Sequence, residues 1–95
     1  MIINNMMIRL KDRSPENIAK TREVLLSMRG QIETLRDLKV DIDIRHEQSS
    51  YDLMFVTQYD SKGDFDAYIA HPVHVEVSQY IGSVMDTGAS VCYES

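Results

Sequence analysis

Residues 38–45 leave the chain little freedom. Leu38, Val40, Ile42 and Ile44 alternate strictly with Lys39, Asp41, Asp43 and Arg45, a period of two that belongs to an extended strand with one covered and one wet face. Residues 46–50 are polar and too few to carry a helical crossover, so the strand that follows must come back antiparallel. That second strand, residues 51–59, sets Tyr51, Leu53, Phe55 and Tyr59 on one side and Met54 and Val56 on the other. Both of its faces are apolar, so both should be covered.

The rest of the chain fits around this hairpin. Residues 3–11 alternate less cleanly and are predicted to form a first strand. Ser14, Pro15 and Glu16 then supply a cap, a residue suited to the first helical turn and a charge that complements the helix's positive end. Ile18, Thr21, Val24, Leu25 and Met28 make one face of the resulting helix, and Gly30 is placed to end it in a left-handed conformation. Ser61 with Asp64 resembles a capping box for a second helix carrying Phe65, Tyr68 and Ile69. Pro72 must break that helix, and Val73, Val77, Tyr80 and Val84 restart a helical stripe. Residues 86–94 alternate as a closing strand. The order strand, helix, strand, strand, broken helix, strand predicts an α+β, ferredoxin-like βαββαβ domain over residues 1–95, with a four-stranded antiparallel sheet and its helices on one face. The other face is then bare, with apolar Met7, Met54, Val56 and Cys92 beside charged Arg9, Lys39, Asp41 and Asp43. A half-apolar bare face predicts a homodimer.

Composition removes several functions. Ten Lys and Arg against fifteen Asp and Glu give a net charge of -5, which repels a phosphate backbone, so no nucleic acid partner is expected. No apolar run approaches the ~18 residues of a membrane span, and the opening lacks the basic-then-apolar order of a signal peptide. The lone Cys92 forms no internal disulfide, which suits a reducing cytoplasm.

Chemistry concentrates in Tyr68-Ile69-Ala70-His71-Pro72-Val73-His74. His74 lies at the edge of the stripe that faces the sheet, and Tyr68 is on the buried side of the preceding helix. A phenol and an imidazole therefore converge on one cavity, the first suited to hold a developing oxyanion and the second to take a proton. The alternative is that Tyr68 is core with its hydroxyl at the rim and that the histidines only finish helix ends. His71 and His74 are spaced i, i+3, but the proline disturbs the register, Glu76 points away and no third ligand completes a set, so no metal is expected. His46 belongs to a polar loop. No phosphate-binding glycine motif is present, so no nucleotide cofactor is expected.

These residues resemble a known family. Ile8-Arg9-Leu10-Lys11, the Ser14-Pro15-Glu16-Asn17 helix start, Ser50-Tyr51-Asp52-Leu53, and above all the Tyr-x-x-His-Pro-x-His stretch beginning at Tyr68 are similar to the stress-responsive A/B barrel (Dabb) family. The resemblance implies a dimeric α+β barrel in which two sheets pack face to face. Plant polyketide cyclases of that family use a tyrosine and a histidine from the same stretch, which would make Tyr68 the oxyanion or orienting group and His74 the base. Where family members often carry histidines in the first and third strands, this chain has Asn4 and Leu53. The expectation is a homodimer holding a small aromatic or carbonyl molecule without a cofactor, with Asn4, Leu53, Phe55 and His71 touching it. A cofactor-free cyclase, isomerase or monooxygenase-like enzyme and a non-catalytic interaction module are the competing expectations.

Overall fold

A computed structural model describes all 95 residues. The elements run β1 (Ile2–Leu10), α1 (Pro15–Leu26), β2 (Asp37–Ile42), β3 (Leu53–Tyr59), α2 (Lys62–Ala70), α3 (Pro72–Val84) and β4 (Met85–Glu94). The strands form one antiparallel sheet in the order β2-β3-β1-β4, the ferredoxin-like α+β arrangement.

Register decides which residues meet. Directly opposed residues share a face, so Val40, Phe55, Met6 and Ser90 form one row and Leu53, Ile8 and Gly88 the next. These rows face the helices and supply much of the core, with Ile8, Leu38, Val40, Leu53 and Phe55 buried under Ile18, Leu25, Met28, Tyr68, Val77 and Ile81. The opposite face carries Ile3, Met7, Met54, Val56, Val91 and Tyr93; no helix lies over it, and only residues 49–51 approach it, beside Met7 and Met54. Met54 stays 41% exposed and Val91 65% exposed.

Cys92 departs from expectation. Its partner in the register is Asn4, which puts it on the helix side of the sheet, and it is exposed because it sits on the outermost strand. Parity within β4 alone does not say which face a residue takes; the pairing with β1 does.

The helix signals act as their chemistry requires. Ser14 accepts from the Asn17 amide at 3.3 Å and Ser61 from the Asp64 amide at 3.1 Å, each satisfying a donor that the first turn leaves free. Helix α1 ends at Leu26, before the glycine, and the next residues tighten into i to i−3 bonds, Met28 to Leu25 and Arg29 to Leu26. Gly30 then takes the left-handed conformation at φ 77°. Strand β2 also stops short, at Ile42; beyond it the Asp43 amide donates to the Asp52 carbonyl at 2.9 Å and the Asp43 carboxylate accepts the His46 amide at 2.7 Å, which turns the chain. Ile44 is thereby left in the loop, 95% exposed.

That loop is tied to β1 by a polar cluster. Asp52, 1% exposed, accepts the Leu10 amide and Arg13 Nε, both at 2.8 Å. Arg13 Nη2 donates to the carbonyls of Glu47 at 3.0 Å and Ser50 at 3.2 Å, and Arg9 Nη1 donates to Ser50 at 3.0 Å and also to Gln48. Two guanidinium groups thus neutralise the backbone carbonyls that a loop of this length leaves unpaired.

Candidate functional site

Between the sheet and the helices lies a half-open cavity of about 180 Å³. Met6, Ile8 and Phe55 form its floor, α1 contributes Leu25 and Met28, α2 contributes Tyr68, and α3 contributes His74, Val77, Ser78, Ile81 and Gly82, with Met85 at the start of β4. Nine of the twelve lining residues are hydrophobic and none is Lys, Arg, Asp or Glu.

The polar groups are few and each has a defined state. Tyr68 is 2% exposed and its ring stands 4.4 Å from that of His74 between centroids, tilted by 50°. Its hydroxyl lies 3.8 Å from the Met28 sulfur, a soft and weak acceptor, and also stands beside the Tyr59 hydroxyl. Burial, with the neighbouring Tyr59 hydroxyl adding to it, pushes the Tyr68 phenol well above its usual range. Tyr68 is therefore a hydrogen-bond donor at neutral pH and never a tyrosinate base.

His74 is half-buried, and its Nδ1 lies 2.9 Å from the Ile69 carbonyl oxygen. A carbonyl only accepts, so Nδ1 carries the proton and Nε2 keeps the lone pair. Ser78, one turn further along α3, donates to the Val75 carbonyl at 2.9 Å, which leaves its oxygen as an acceptor. Among the lining residues the Tyr68 hydroxyl is thus a donor, and His74 Nε2 and Ser78 Oγ are acceptors.

Tyr68, His74 and Phe55 line this one cavity together. Asn4, Leu53 and His71, also expected to touch a ligand, stand outside this lining. Asn4 is one row further along the sheet, opposite Thr57 and Cys92, and Leu53 is displaced sideways, beside Ile8. His71 points elsewhere: its Nδ1 accepts the Val73 amide at 3.1 Å as the cap of α3, and its Nε2 lies 3.8 Å from Glu33. Sequence reading missed Met28, Ser78 and Gly82. Ser78 had a signal, since it lies four residues after His74 on the same helix face; Met28 had none, because its neighbour Tyr68 is forty residues away.

The buried phenols make stability depend on alkaline pH. Burial raises Tyr59 to about 12, partly offset by its bond to Thr57, and raises Tyr68 further still. The unfolded chain releases both protons near the usual value of about 10. Above that pH the folded state holds protons that the unfolded state has lost, so stability falls as pH rises, by about 1.4 kcal/mol per pH unit for each group. Below pH 9 the two tyrosines contribute no slope. Urea midpoints measured between pH 9 and 11 should decline steeply in the wild type and about half as steeply in Tyr68→Phe. Equal slopes in the two proteins would contradict this account.

A ferredoxin-like α+β sheet with a small, uncharged, half-open cavity holding a phenol and an imidazole defines the class of the molecule. Residues 5–95 match the stress responsive A/B barrel domain, and the chain belongs to that family. A dimeric ferredoxin-like protein of unknown function from Thermobifida fusca superposes with a TM-score of 0.86 at 21% identity, over 99% of this chain and 90% of that one. A hypothetical protein from Arabidopsis thaliana superposes with a TM-score of 0.80 at 25% identity, over 99% of this chain and 87% of that one. The hydroxynitrile lyase of Passiflora edulis does so with a TM-score of 0.82 at 12% identity, over 97% of this chain and 90% of that one. No protein of curated function matches the sequence. No helix is long and apolar enough to cross a membrane.

Proposed function

We propose that this chain acts as a homodimer in which each subunit binds a small neutral carbonyl compound and moves a proton on it without a cofactor, His74 serving as base and Tyr68 as donor to the developing oxyanion. The observation that carries this reading is the Tyr68–His74 pair over one apolar cavity, with the imidazole proton committed to Nδ1. Nε2 takes a proton from the carbon next to the carbonyl, the C–H electron pair becomes a C=C bond as the carbonyl π pair moves to oxygen, and the Tyr68 hydroxyl holds the resulting enolate until the imidazolium returns the proton to carbon. Low polarity around the pair strengthens both interactions.

Size and charge narrow the ligand. An apolar cavity of ~150 Å³ accommodates benzene, so about 180 Å³ suits one ring with a short substituent and is too small for an extended polyketide. The absence of a lining cation leaves a carboxylate or phosphate without a counter-charge. That the Passiflora relative is a hydroxynitrile lyase supports small-molecule chemistry on this fold. The dimeric state of the Thermobifida relative and the uncovered sheet face support two copies, and the exposed free thiol of Cys92 suits a reducing cytosol.

The test is an NMR titration in D₂O with acetophenone as probe and benzoate as its charged counterpart, reading both occupancy and exchange of the methyl hydrogens. Acetophenone should bind and exchange in wild type and benzoate should not bind. Tyr68→Phe should weaken binding about tenfold, the equivalent of one hydrogen bond, and His74→Ala should abolish the exchange. If neither probe binds and no exchange occurs, the His-Pro-Val-His stretch only packs, and the chain is an interaction module.

A further inference from the structure

We infer that His71 is a positioning residue for His74, fixing its tautomer by taking the backbone amide that would otherwise compete for the Ile69 carbonyl. In an unbroken helix the Ile69 carbonyl accepts from the amide four residues on, which is Val73. Here that bond is absent. Val73 donates to His71 Nδ1 at 3.1 Å, and the freed Ile69 carbonyl accepts from His74 Nδ1 at 2.9 Å. One backbone bond has been exchanged for two side-chain bonds, each made by an imidazole.

The exchange needs the helix break. Pro72 has no amide and its ring drives His71 into an extended conformation, φ −67° and ψ 137°. The His71 side chain can then fold over the first turn of α3 as its cap, while its own carbonyl accepts from Val75 at 2.9 Å and its amide donates to Tyr68 at 3.1 Å. The two rings end as opposite tautomers. His71 accepts at Nδ1, so its proton sits on Nε2, facing Glu33 at 3.8 Å. His74 donates at Nδ1, so its lone pair sits on Nε2. With the cap removed, Pro72 still breaks the helix but the Val73 amide has no acceptor of its own; sharing the Ile69 carbonyl, which can accept twice, weakens its bond to His74 Nδ1, and the His74 proton distributes over both nitrogens.

The inference rests on the reading of His74 as the base, but its test reads the ring itself and needs no ligand. Long-range ¹H–¹⁵N correlation on uniformly labelled protein at mildly alkaline pH distinguishes the tautomers. Wild type should show His74 protonated at Nδ1 and His71 at Nε2. His71→Asn, which keeps a cap acceptor, should leave His74 as in wild type, whereas His71→Ala should give a mixed His74 signal. A His71→Ala protein that folds with His74 still wholly Nδ1-protonated overturns the inference, as does a His71→Asn protein with a mixed signal. Should His71→Ala alone not fold, the double variant Val73→Pro/His71→Ala removes the competing amide together with the need for a cap. Its His74 should then be wholly Nδ1-protonated, and a mixed signal there overturns the inference equally. Loss of probe binding with the tautomer intact would count against the proposed function and leave this inference standing.

Discussion

Val91→Asp should convert the proposed homodimer to a monomer at micromolar concentration. Val91 is 65% exposed in the single chain and occupies the row that contains Lys39, Val56 and Asn5. On that same face Met7, Met54 and Tyr93 are each 40% exposed or more. An apolar surface of this kind persists when a second copy covers it. Two-fold symmetry would bring the new carboxylate into the interface twice, each without a partner, and an unpaired charge taken from water costs several kcal/mol. Sedimentation velocity reads the result directly. In the proposed homodimer the apolar sheet faces cover each other, so the variant should also unfold at lower urea, and at a midpoint that no longer depends on protein concentration. A Val91→Asp protein that still sediments as a dimer would place the contact between copies on another surface.

Asp52→Ala should lower folding stability by about 3 kcal/mol, the cost of leaving a formerly paired buried group without its partner. The Asp52 side chain is fully buried, and its two oxygens serve the Leu10 amide and Arg13 Nε, both at 2.8 Å. Removing the carboxylate strands that amide beside a guanidinium that has lost its counter-charge, and frees the loop whose Glu47 and Ser50 carbonyls Arg13 holds. The control is Arg36→Ala. Arg36 pairs with Asp60 at 2.9 Å, but both side chains are about half exposed, so that change should cost no more than about 1 kcal/mol. Urea unfolding of the two variants side by side decides the matter; equal losses would show that burial confers nothing on the Asp52 pair.

The βαββαβ order was legible because its signals are local. Alternation in residues 38–42, the Ser14 and Ser61 caps and the Pro72 break each involve residues within a few positions of one another, and sequence displays such relations directly. What escaped reading depends on distance. The strict alternation continues through Ile44, yet β2 ends at Ile42: the Asp43 amide still reaches across to the Asp52 carbonyl at 2.9 Å, while its carboxylate accepts the His46 amide at 2.7 Å as the chain turns into the loop. Asp52 is invisible as a buried group until Arg13, 39 residues away, is placed beside it. At the candidate site Tyr68 and His74 were found because one short segment carries both. The rest of the wall was not, since Leu25 and Met28 reach it from another helix, and the dispositions of Asn4 and Leu53 follow from a register that only the assembled sheet defines.

Met6 and Met7 are the same amino acid one position apart. Met6 lies on the floor of the cavity and Met7 on the uncovered sheet face. Nothing in their chemistry separates a surface that meets a ligand from one that meets a second chain; the half-turn between successive strand residues does it alone. The sheet is thus a partition two side chains thick. Its backbone is common to both sides, and β4 alone runs from Met85 at the cavity to Val91 on the uncovered face, so an influence of occupancy on pairing, or of pairing on occupancy, has a short path through the strands.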